Sequence, residues 1–284
     1  MRNELDLSSI RPLVRTWLDE DVGRGDMTTA AVIPPDALAT ARLEARQSFT
    51  LAGADVAALC FEMVGEGRAG VAWDAKQSDG DQVTEGDTIA RVEGNLRVIL
   101  TAERTALNIL ARLSGIATMT ARYVEAVAGT GARVVDTRKT TPGLRVLEKY
   151  AVRVGGGSNH RFGLDDGILI KDNHIAAAGG IGAAVRAARS SVPHGLRVEV
   201  EVEDLEGLDE AISAGADAVL LDNMTVEEVS AAVERAASRV LLEVSGGIDL
   251  DSIGGYARTG VDLISSGALT HSVRSVDVAL EVDL

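Results

Sequence analysis

The chain has 284 residues, of which 46% are apolar, so it is long enough to bury one large core or a large core and a small one. Its formal net charge of −15 and its 3% aromatic content disfavour nucleic-acid binding, because phosphates are repelled and few rings are available for base stacking. The beginning MRNELDLSSIRPLVRTW lacks the apolar stretch of a secretory leader, and no run of about 18 apolar residues occurs. Since the single Cys60 also excludes an intrachain disulfide, we expect a soluble cytoplasmic protein without a membrane partner.

The first hundred residues predict a small α+β domain. Residues 8–20 have helical spacing with Ser8 or Ser9 as the N-cap, and the GRGDMTT that follows is loop-like. LATARLEARQSFTLAG alternates as a strand does, and SDGDQVTEGDTIARVEG indicates short strands separated by Gly-Asp turns. From LRVILTAERTALNILARLSG onward, leucines at helical spacing predict a long helix that leads away from this domain.

Beyond residue 130, short apolar runs alternate with helical or Gly-rich connections. The pattern predicts parallel strands with crossover helices, and its even spacing suits a closed or nearly closed α/β barrel better than an open sheet with reversed strand order. There are seven candidate strands: ARVVDTRK, AVRVGGG, GILIKD, LRVEVEVED, DAVLLDN, VLLEVSGG and VDLISSGA.

The ends of these strands indicate where the site lies, because active sites of α/β barrels lie at the carboxyl ends of the strands. The polar and small residues at six of these ends form a coherent set: Lys139, Lys171, Glu201, Asp222, Ser245-Gly246-Gly247 and Ser266-Gly267. Two cations, two carboxylates and two Gly-containing turns are therefore expected at one mouth.

Lysine is rare, with 4 Lys against 24 Arg, yet three of the four lysines fall between Arg133 and Ile175. That window is locally basic inside an acidic protein. Lysine and arginine are not interchangeable at a binding site, so Lys139 and Lys171 are candidates for chemistry. The alternative for each is a solvated strand end, and Lys149 can be an exposed helix charge.

The strand LRVEVEVED places valines on one face and Glu199, Glu201 and Glu203 on the other. A parallel barrel strand is covered on both faces, so these carboxylates need cations or a metal, with Lys139 and Lys171 as the expected partners. Glu201 and Asp222 together could hold Mg²⁺, which uses one or two carboxylates plus ligand phosphates. For Asp222 a turn role is the alternative, because the following Thr and Glu have capping-box spacing.

The turns SGG at 245–247 and SGA at 266–268 are typical of phosphate cradles after the last two strands of barrel enzymes, although each alone could be an ordinary turn. GGGSNHR at 155–161 delivers His160 and Arg161 into the basic window, unless it is only a flexible connection. The set predicts a site for a phosphorylated sugar and an acidic small molecule.

These motifs closely resemble quinolinate phosphoribosyltransferase, the carboxylating nicotinate-nucleotide pyrophosphorylase family of NAD biosynthesis. The resemblance spans nearly the whole chain, through GDMTT, ERTALNILARLSGIAT, DTRKTTPGLR, GGGSNHRFGLDDGILIKDNHI, EVEVE, LLDNM, EVSGGI and DLISSGALTHS. It implies an open seven-stranded parallel α/β barrel over residues 113–269 and a smaller N-terminal α+β sandwich over 1–112, to which the tail 270–284 returns. It also implies a homodimer, possibly in a higher assembly, whose sites combine residues of both subunits.

The resemblance further implies a role for each matched residue. The pocket for the two quinolinate carboxylates would contain Arg104, donated by the neighbouring subunit, together with Thr137, Arg138, His160, Arg161 and Lys171. Lys139 would contact phosphoribosyl pyrophosphate, Glu201 and Asp222 would face its ribose and Mg²⁺, and Ser245, Gly246, Gly247, Ser266, Gly267 and Ala268 would hold the 5-phosphate region. Catalysis would rest on Lys139, Lys171, Glu201 and Asp222.

Three other readings remain open from the residues alone. A barrel aldolase would use Lys139 or Lys171 as a Schiff base and would leave Glu201 and Asp222 without a purpose. A non-catalytic relative would bind the ligands without turnover. A related phosphoribosyltransferase for another acid would have the same ribose side of the site.

Overall fold

A computed structural model describes residues 5–67 and 70–283; the first four residues, which contribute to the prediction about a leader, lie outside them. The chain forms two compact units. The first unit holds the residues up to Met119, Pro142–Gly156 and those from Val273 on, and the second holds Thr120–Thr141 and Gly157–Ser272. Among the described residues, no helix combines the length and the apolar character that crossing a membrane requires.

In chain order, the elements as far as residue 154 are α1 (Leu7–Val22), α2 (Met27–Val32), β1 (Leu38–Ala45), β2 (Phe49–Thr50), α3 (Ala54–Gly65), β3 (Val71–Ala75), β4 (Gln82–Val83), β5 (Thr88–Asn95), α4 (Leu96–Ala126), β6 (Arg133–Val135) and α5 (Arg145–Val154). The remaining elements are β7 (Ile168–Ile170), α6 (Asp172–Ala178), α7 (Ile181–Ser191), β8 (Val198–Val202), α8 (Leu205–Ala214), β9 (Ala218–Asp222), α9 (Val226–Ala236), β10 (Leu241–Ser245), α10 (Ile253–Ala257), β11 (Leu263–Ser265), α11 (Ala268–His271) and β12 (Val278–Asp283).

The first unit is built on an antiparallel sheet with the order β12-β1-β5-β3. The C-terminal strand β12 pairs with β1 along six residues, from Thr40 opposite Asp283 to Ala45 opposite Val278. Helix α3 is almost entirely buried, and its first N–H groups donate to the carboxylate of Asp79, at 2.7 Å from Gly53 and 3.0 Å from Ala54. Asp79 therefore serves as the cap that α3 lacks in its own sequence.

Two local predictions in this unit are wrong. The N-cap of α1 is Asp6, whose carboxylate accepts the N–H of Ser8 at 3.0 Å, and not a serine. A carboxylate directly before the first helical residue satisfies the free N–H groups equally well. The second half of the predicted loop GRGDMTT begins helix α2, which Asp26 caps through the N–H of Thr29 at 2.9 Å.

The second unit confirms the predicted α/β fold class with a parallel sheet, but the sheet has six strands in the described residues. Their order is β6-β11-β10-β9-β8-β7, all parallel, so the sheet is open between β6 and β7. Where a seventh strand was predicted, the structure has a single parallel β-bridge between Val135 and Ser158. The crossover helices lie where the sequence predicts them, including α9 with its Thr225–Glu228 capping box.

The candidate strand AVRVGGG is wrong, because Ala151–Val154 form the end of helix α5. This helix clusters with the first unit, whereas the resemblance places residues 113–269 in one barrel domain. Lys149 on the same helix is fully buried and is not an exposed helix charge. The adjacent Glu148 is also fully buried and accepts from Arg112 at 2.7 Å, so α5 carries charged groups into a core.

Candidate active site

The predicted site residues of the second unit come together at the carboxyl ends of the parallel strands. They line one cavity of about 730 Å³. Every one of them is present: Thr137, Arg138, Lys139, His160, Arg161, Lys171, Glu201, Asp222, Ser245, Gly246, Gly247, Ser266, Gly267 and Ala268. The topology explains this convergence, since parallel strands end at the same edge of a sheet.

Arg104 is the exception and lies in the first unit. It lines a different cavity of about 550 Å³, together with Trp17, Asp21, Arg112 and Val276. Its side chain is 63% exposed and stands 3.8 Å from the carboxylate of Glu103. Helix α4 begins at Leu96, so Arg104 lies two turns inside the helix and not near its start, where the helix dipole would disfavour a cation.

One wall of the site cavity carries a group of cations. The guanidinium Nε atoms of Arg138 and Arg161 are both buried without a hydrogen-bond partner in the described residues. Burial lowers the pKa of Arg161, and the neighbouring charge of Arg138 lowers it further. Two guanidinium groups that repel each other, and whose Nε atoms lack acceptors in the described residues, form a site that favours an anion.

Lys139 and Lys171 differ in their surroundings. Lys171 Nζ donates to Glu201 Oε2, which confirms one of the expected cation–carboxylate pairs. Lys139 is exposed and forms no salt bridge in the part of the chain that the structure describes, so its predicted pairing with the strand glutamates is wrong. A Cβ built on Gly267 would lie 2.9 Å from Lys139 Cδ, so the lysine stem passes directly over that glycine.

The two predicted metal carboxylates end neighbouring strands. Glu201 in β8 pairs with Leu220 in β9, and Asp222 is two residues farther along, on the same face of the sheet as Leu220. Asp222 Oδ2 accepts from the side-chain amide of Asn223 at 2.8 Å. Both carboxylates line the cavity, so hard oxygen donors are available for a divalent ion there.

The turn after β10 has little free space. Gly246 has φ +106°, and a Cβ there would lie 2.3 Å from Asn223 Oδ1 and 2.8 Å from Asn223 N. Asn223 itself has φ +56° and donates its N–H to the carbonyl of Ser245 at 2.9 Å. Gly246 is therefore required by a close approach that holds Asn223 against Asp222.

Hydrogen bonds of Ser266 and Thr270 fix the turn after β11. Ser266 is buried, and its hydroxyl donates to the carbonyl of Ile248 at 2.9 Å. The hydroxyl of Thr270 donates to the carbonyl of Lys139 at 2.8 Å, so this turn also fixes the loop that carries the lysine. The predicted phosphate turn is thus connected to the predicted phosphoribosyl pyrophosphate contact.

Sequence reasoning missed Asp136 and Glu243, which form a buried acidic cluster around His160 together with the predicted Glu199. His160 Nε2 lies 3.1 Å from Glu199 Oε2 and 3.6 Å from Glu243 Oε2. Burial raises the pKa of Glu243 to about 7, and repulsion from Glu199 adds to this shift. Asp136, fully buried, accepts from His160 N at 2.9 Å and from the Asn159 amide at 2.6 Å. Glu243 is the one acidic residue within the apolar run VLLEVS, and this position could have indicated a buried carboxylate.

His271 and Asn223 also line the cavity without having been predicted. His271 Nδ1 lies 2.6 Å from the hydroxyl of Ser272. Its ring lies beside Gly267, because a Cβ on that glycine would be 2.9 Å from two ring atoms. Asn223 belongs to the motif LLDNM and His271 to GALTHS. Each follows the end of a strand by one or a few residues, and this position could have indicated that they line the site.

Comparison with known proteins gives the same relationship over the full length of the chain. Residues 26–114 match the N-terminal domain of quinolinate phosphoribosyl transferase, and residues 116–281 match its C-terminal domain. The chain is 45% identical over 286 residues to the nicotinate-nucleotide pyrophosphorylase (carboxylating) of Mycobacterium leprae, covering 99% of this chain and all of that protein. It is 42% identical over 275 residues to a probable nicotinate-nucleotide pyrophosphorylase (carboxylating) of Bacillus subtilis, covering 97% of this chain and 94% of that protein.

Solved structures agree with the sequence comparison. The nicotinate-nucleotide pyrophosphorylase of Francisella tularensis superimposes with a TM-score of 0.94 at 42% identity, covering 99% of this chain and 98% of that one. The Streptococcus pyogenes structure titled NadC gives a TM-score of 0.94 at 43% identity with the same coverage. The motifs, the cavity and these similarities together show that the chain belongs to the quinolinate phosphoribosyltransferase family.

Proposed function

We propose that this chain transfers the phosphoribosyl group of phosphoribosyl pyrophosphate to quinolinate with loss of a carboxyl group, as a carboxylating nicotinate-nucleotide diphosphorylase of NAD biosynthesis. The products are nicotinate mononucleotide, pyrophosphate and CO₂. The observation that carries the proposal is the single cavity in which two unpaired guanidinium Nε atoms, two carboxylates and two phosphate turns line one space. Relatives that match over nearly the full length and are named for this activity support it.

In this mechanism the pyridine nitrogen of quinolinate attacks ribose C1, and pyrophosphate leaves. Arg138, Arg161 and Lys171 bind the two carboxylates and orient the ring for attack. Lys139 stabilises the leaving pyrophosphate, and the carboxylates of Glu201 and Asp222 favour positive charge on the ribosyl carbon. The carboxyl group at ring position 2 is then released as CO₂, and its electron pair is retained at that carbon, which takes up a proton.

We propose Mg²⁺ as the metal, held by Glu201 and Asp222 together with substrate phosphates. Two carboxylates that line one cavity fit an ion that prefers oxygen ligands, although Lys171 shares Glu201. When bound, the ion supplies positive charge to the phosphates. Asp222→Asn should raise the Mg²⁺ concentration needed for half-maximal activity, with Asp251→Asn as the exposed control. Identical Mg²⁺ titrations for wild type and Asp222→Asn would remove Asp222 from the metal site.

The activity is tested by release of CO₂ from carboxyl-labelled quinolinate. The expected release depends on both phosphoribosyl pyrophosphate and Mg²⁺. Nicotinate should compete poorly, because leaving part of a dense cationic pocket unpaired costs about 2–5 kcal/mol, or roughly 30-fold to several thousandfold in binding. Equal competition by nicotinate would contradict the assignment of the carboxylate pocket. Borohydride trapping of a lysine on a keto substrate would instead indicate an aldolase.

We further propose a homodimer in which Arg104 reaches the neighbouring subunit's cavity. What supports this is the position of Arg104 outside the cavity of the second unit and its 63% exposed side chain. Arg104→Ala and Lys139→Ala homodimers should each be nearly inactive. After equal mixing, unfolding and refolding, about half the dimers are mixed, and each has one intact site, so about a quarter of wild-type activity should return. A mixture that stays inactive would show that Arg104 serves its own subunit.

The cytoplasmic location and the lack of a nucleic-acid partner remain predictions from composition. Fractionation of cells that express the tagged chain checks the first, and a binding titration with duplex and single-stranded DNA checks the second.

A further inference from the structure

Three buried carboxylates near the site cavity lie on, or directly after, three different strands. Asp136 follows β6 and is 0% exposed, Glu199 in β8 is 8% exposed, and Glu243 in β10 is 1% exposed. All three converge on the segment Asn159-His160. Burial of a carboxylate costs free energy unless the group is hydrogen-bonded, paired with a cation or protonated. The partners of these three carboxylates therefore indicate what the cluster does.

Hydrogen bonds define how the His160 ring is held. The N–H of Arg161 donates to His160 Nδ1 at 2.7 Å. A nitrogen that accepts a hydrogen bond carries its lone pair, so the ring proton is on Nε2. Nε2 in turn faces Glu199 at 3.1 Å and Glu243 at 3.6 Å. Both ring nitrogens are therefore directed at protein groups.

We propose that His160 is a positioning residue, held at Nε2 by Glu199 with Glu243 beside it, which fixes Arg161 at the wall of the substrate cavity through Nδ1. This inference rests on the proposed function and deepens it, because it names how a carboxylate-binding cation is set in place. Arg161 also donates from Nη1 to the carbonyl of Gly167 at 3.1 Å, so its backbone and its side chain are each held once. The residue that meets the substrate is Arg161, and His160 acts through it.

The cluster also stores a proton. Glu243 faces Glu199 from β8, Asp136 from the end of β6, the Ser265 hydroxyl from β11 and His160. Its Oε1 is buried without a partner in the described residues. The neutral carboxyl is favoured by burial, and loss of its proton above pH 7 adds a negative charge to the cavity that Arg161 and Arg138 also line. Binding of a dianion should therefore weaken as the pH rises through about 7.

The first experiment reads the tautomer without using activity. Nitrogen-15 spectra of the four histidines, with His160 assigned from the His160→Asn variant, should show one proton, on Nε2, between pH 6 and 8. A doubly protonated ring at pH 7 would overturn the proposal, since such a ring cannot accept the Arg161 N–H.

The second experiment is a double-mutant cycle on the KM of quinolinate. If His160 acts through Arg161, then adding His160→Leu to Arg161→Met should change KM by less than about twofold, although His160→Leu alone raises it at least about tenfold. If both residues contact substrate, the two effects should multiply. Glu199→Gln can replace His160→Leu in the cycle if the latter variant fails to fold.

The third experiment uses Glu243→Gln, a neutral side chain of the same shape. It should keep kcat within about threefold and flatten the rise in quinolinate KM between pH 6 and 8. Glu203→Gln removes one exposed charge just beyond the same strand as Glu199 and should leave that pH dependence unchanged. A Glu243→Gln profile as steep as that of wild type would overturn the stored proton. Failure of the proposed function would look different, because the wild type would release no CO₂ from quinolinate.

A metal ion is the competing occupant, because ligand atoms of His160, Glu199 and Glu243 lie within 4.8 Å of one another. Zn²⁺ is the probe, since imidazole and carboxylate ligands suit it. We expect Zn²⁺ to leave the His160 Nε2–H signal unchanged. Stoichiometric loss of that signal on addition of Zn²⁺ would overturn the positioning role in favour of a metal site.

Discussion

Substitution of Gly246 by alanine should damage the ribose side of the site through Asn223. The new Cβ would lie 2.3 Å from Asn223 Oδ1 and 2.8 Å from Asn223 N, at φ +106°. Asn223 must then move, and its 2.8 Å hydrogen bond to the carboxylate of Asp222 is lost. Gly260→Ala is the matched control, because φ is +88° and the nearest atom is at an ordinary 3.6 Å.

The two variants share the backbone penalty of a side chain at positive φ, about 1–3 kcal/mol each. Gly246→Ala additionally creates a steric clash with Asn223 and loses its exposed hydrogen bond to a carboxylate, together about 1.5–3 kcal/mol. With about 2–4 °C per kcal/mol, its melting temperature should lie roughly 3–12 °C below that of Gly260→Ala.

The functional effect should be equally selective. Because Asp222 is proposed to face the ribose, kcat/KM for phosphoribosyl pyrophosphate should fall at least about tenfold in Gly246→Ala, which corresponds to about 1.4 kcal/mol. Binding of quinolinate alone should change less than about twofold, since Arg138 and Arg161 are untouched. Calorimetry and steady-state kinetics measure these quantities. Equal melting temperatures and equal kinetics for the two alanine variants would refute the reasoning.

Three further predictions concern the first unit. Burial raises the pKa of the Cys60 thiol from 9.0 to about 12, so the folded state holds this proton more tightly than the unfolded state does. The free energy of unfolding should therefore decrease as the pH rises from 9 towards 12, and urea titrations at pH 8 and 11 should show a smaller decrease in Cys60→Ala than in wild type. Glu148→Leu should lower the free energy of unfolding by about 3–5 kcal/mol, because it breaks a buried ion pair with Arg112, and adding Arg112→Leu should recover part of the loss; equal stability of wild type and Glu148→Leu would contradict this. Gly115→Ala places a Cβ 2.3 Å from the carbonyl of Arg274, so hydrogen exchange of β12 should accelerate, whereas Gly254→Ala, with its nearest atom at 3.4 Å, should leave β12 unchanged.

The positions of the site residues could be predicted because they depend on simple geometry. Lys171 and Asp222 each end an apolar run, and Glu201 lies near the end of an alternating one. Parallel strands bring such ends to one edge whatever the details of packing. The turns at Gly246 and Gly267 follow from the same rule. The sequence also predicted that the glutamates of β8 needed cations, and the pair of Lys171 and Glu201 shows why.

The partners of the buried acids could not be predicted, because they depend on which loops meet across the sheet. Glu199 meets His160, which is 39 positions earlier and belongs to no regular element. The failure at AVRVGGG has a different cause. A short apolar run has no periodicity that distinguishes a strand from the end of a buried helix, and helix α5 buries the charged Glu148 and Lys149 beside its apolar residues. The burial of Lys149 could not be predicted either, because a lysine on a helix is ordinarily exposed to solvent.

The path of the chain through the two units limits how this protein can be divided. The chain passes from one unit to the other after Met119, Thr141, Gly156 and Ser272, and the first of these points lies inside helix α4. A fragment that stops at 112 or 119 therefore ends within a helix and lacks both α5 and β12, the partner strand of β1. Recombination between two relatives at any single crossover point would leave at least one unit with segments from both parents. Exchange of a whole unit between relatives would therefore require several coordinated crossovers.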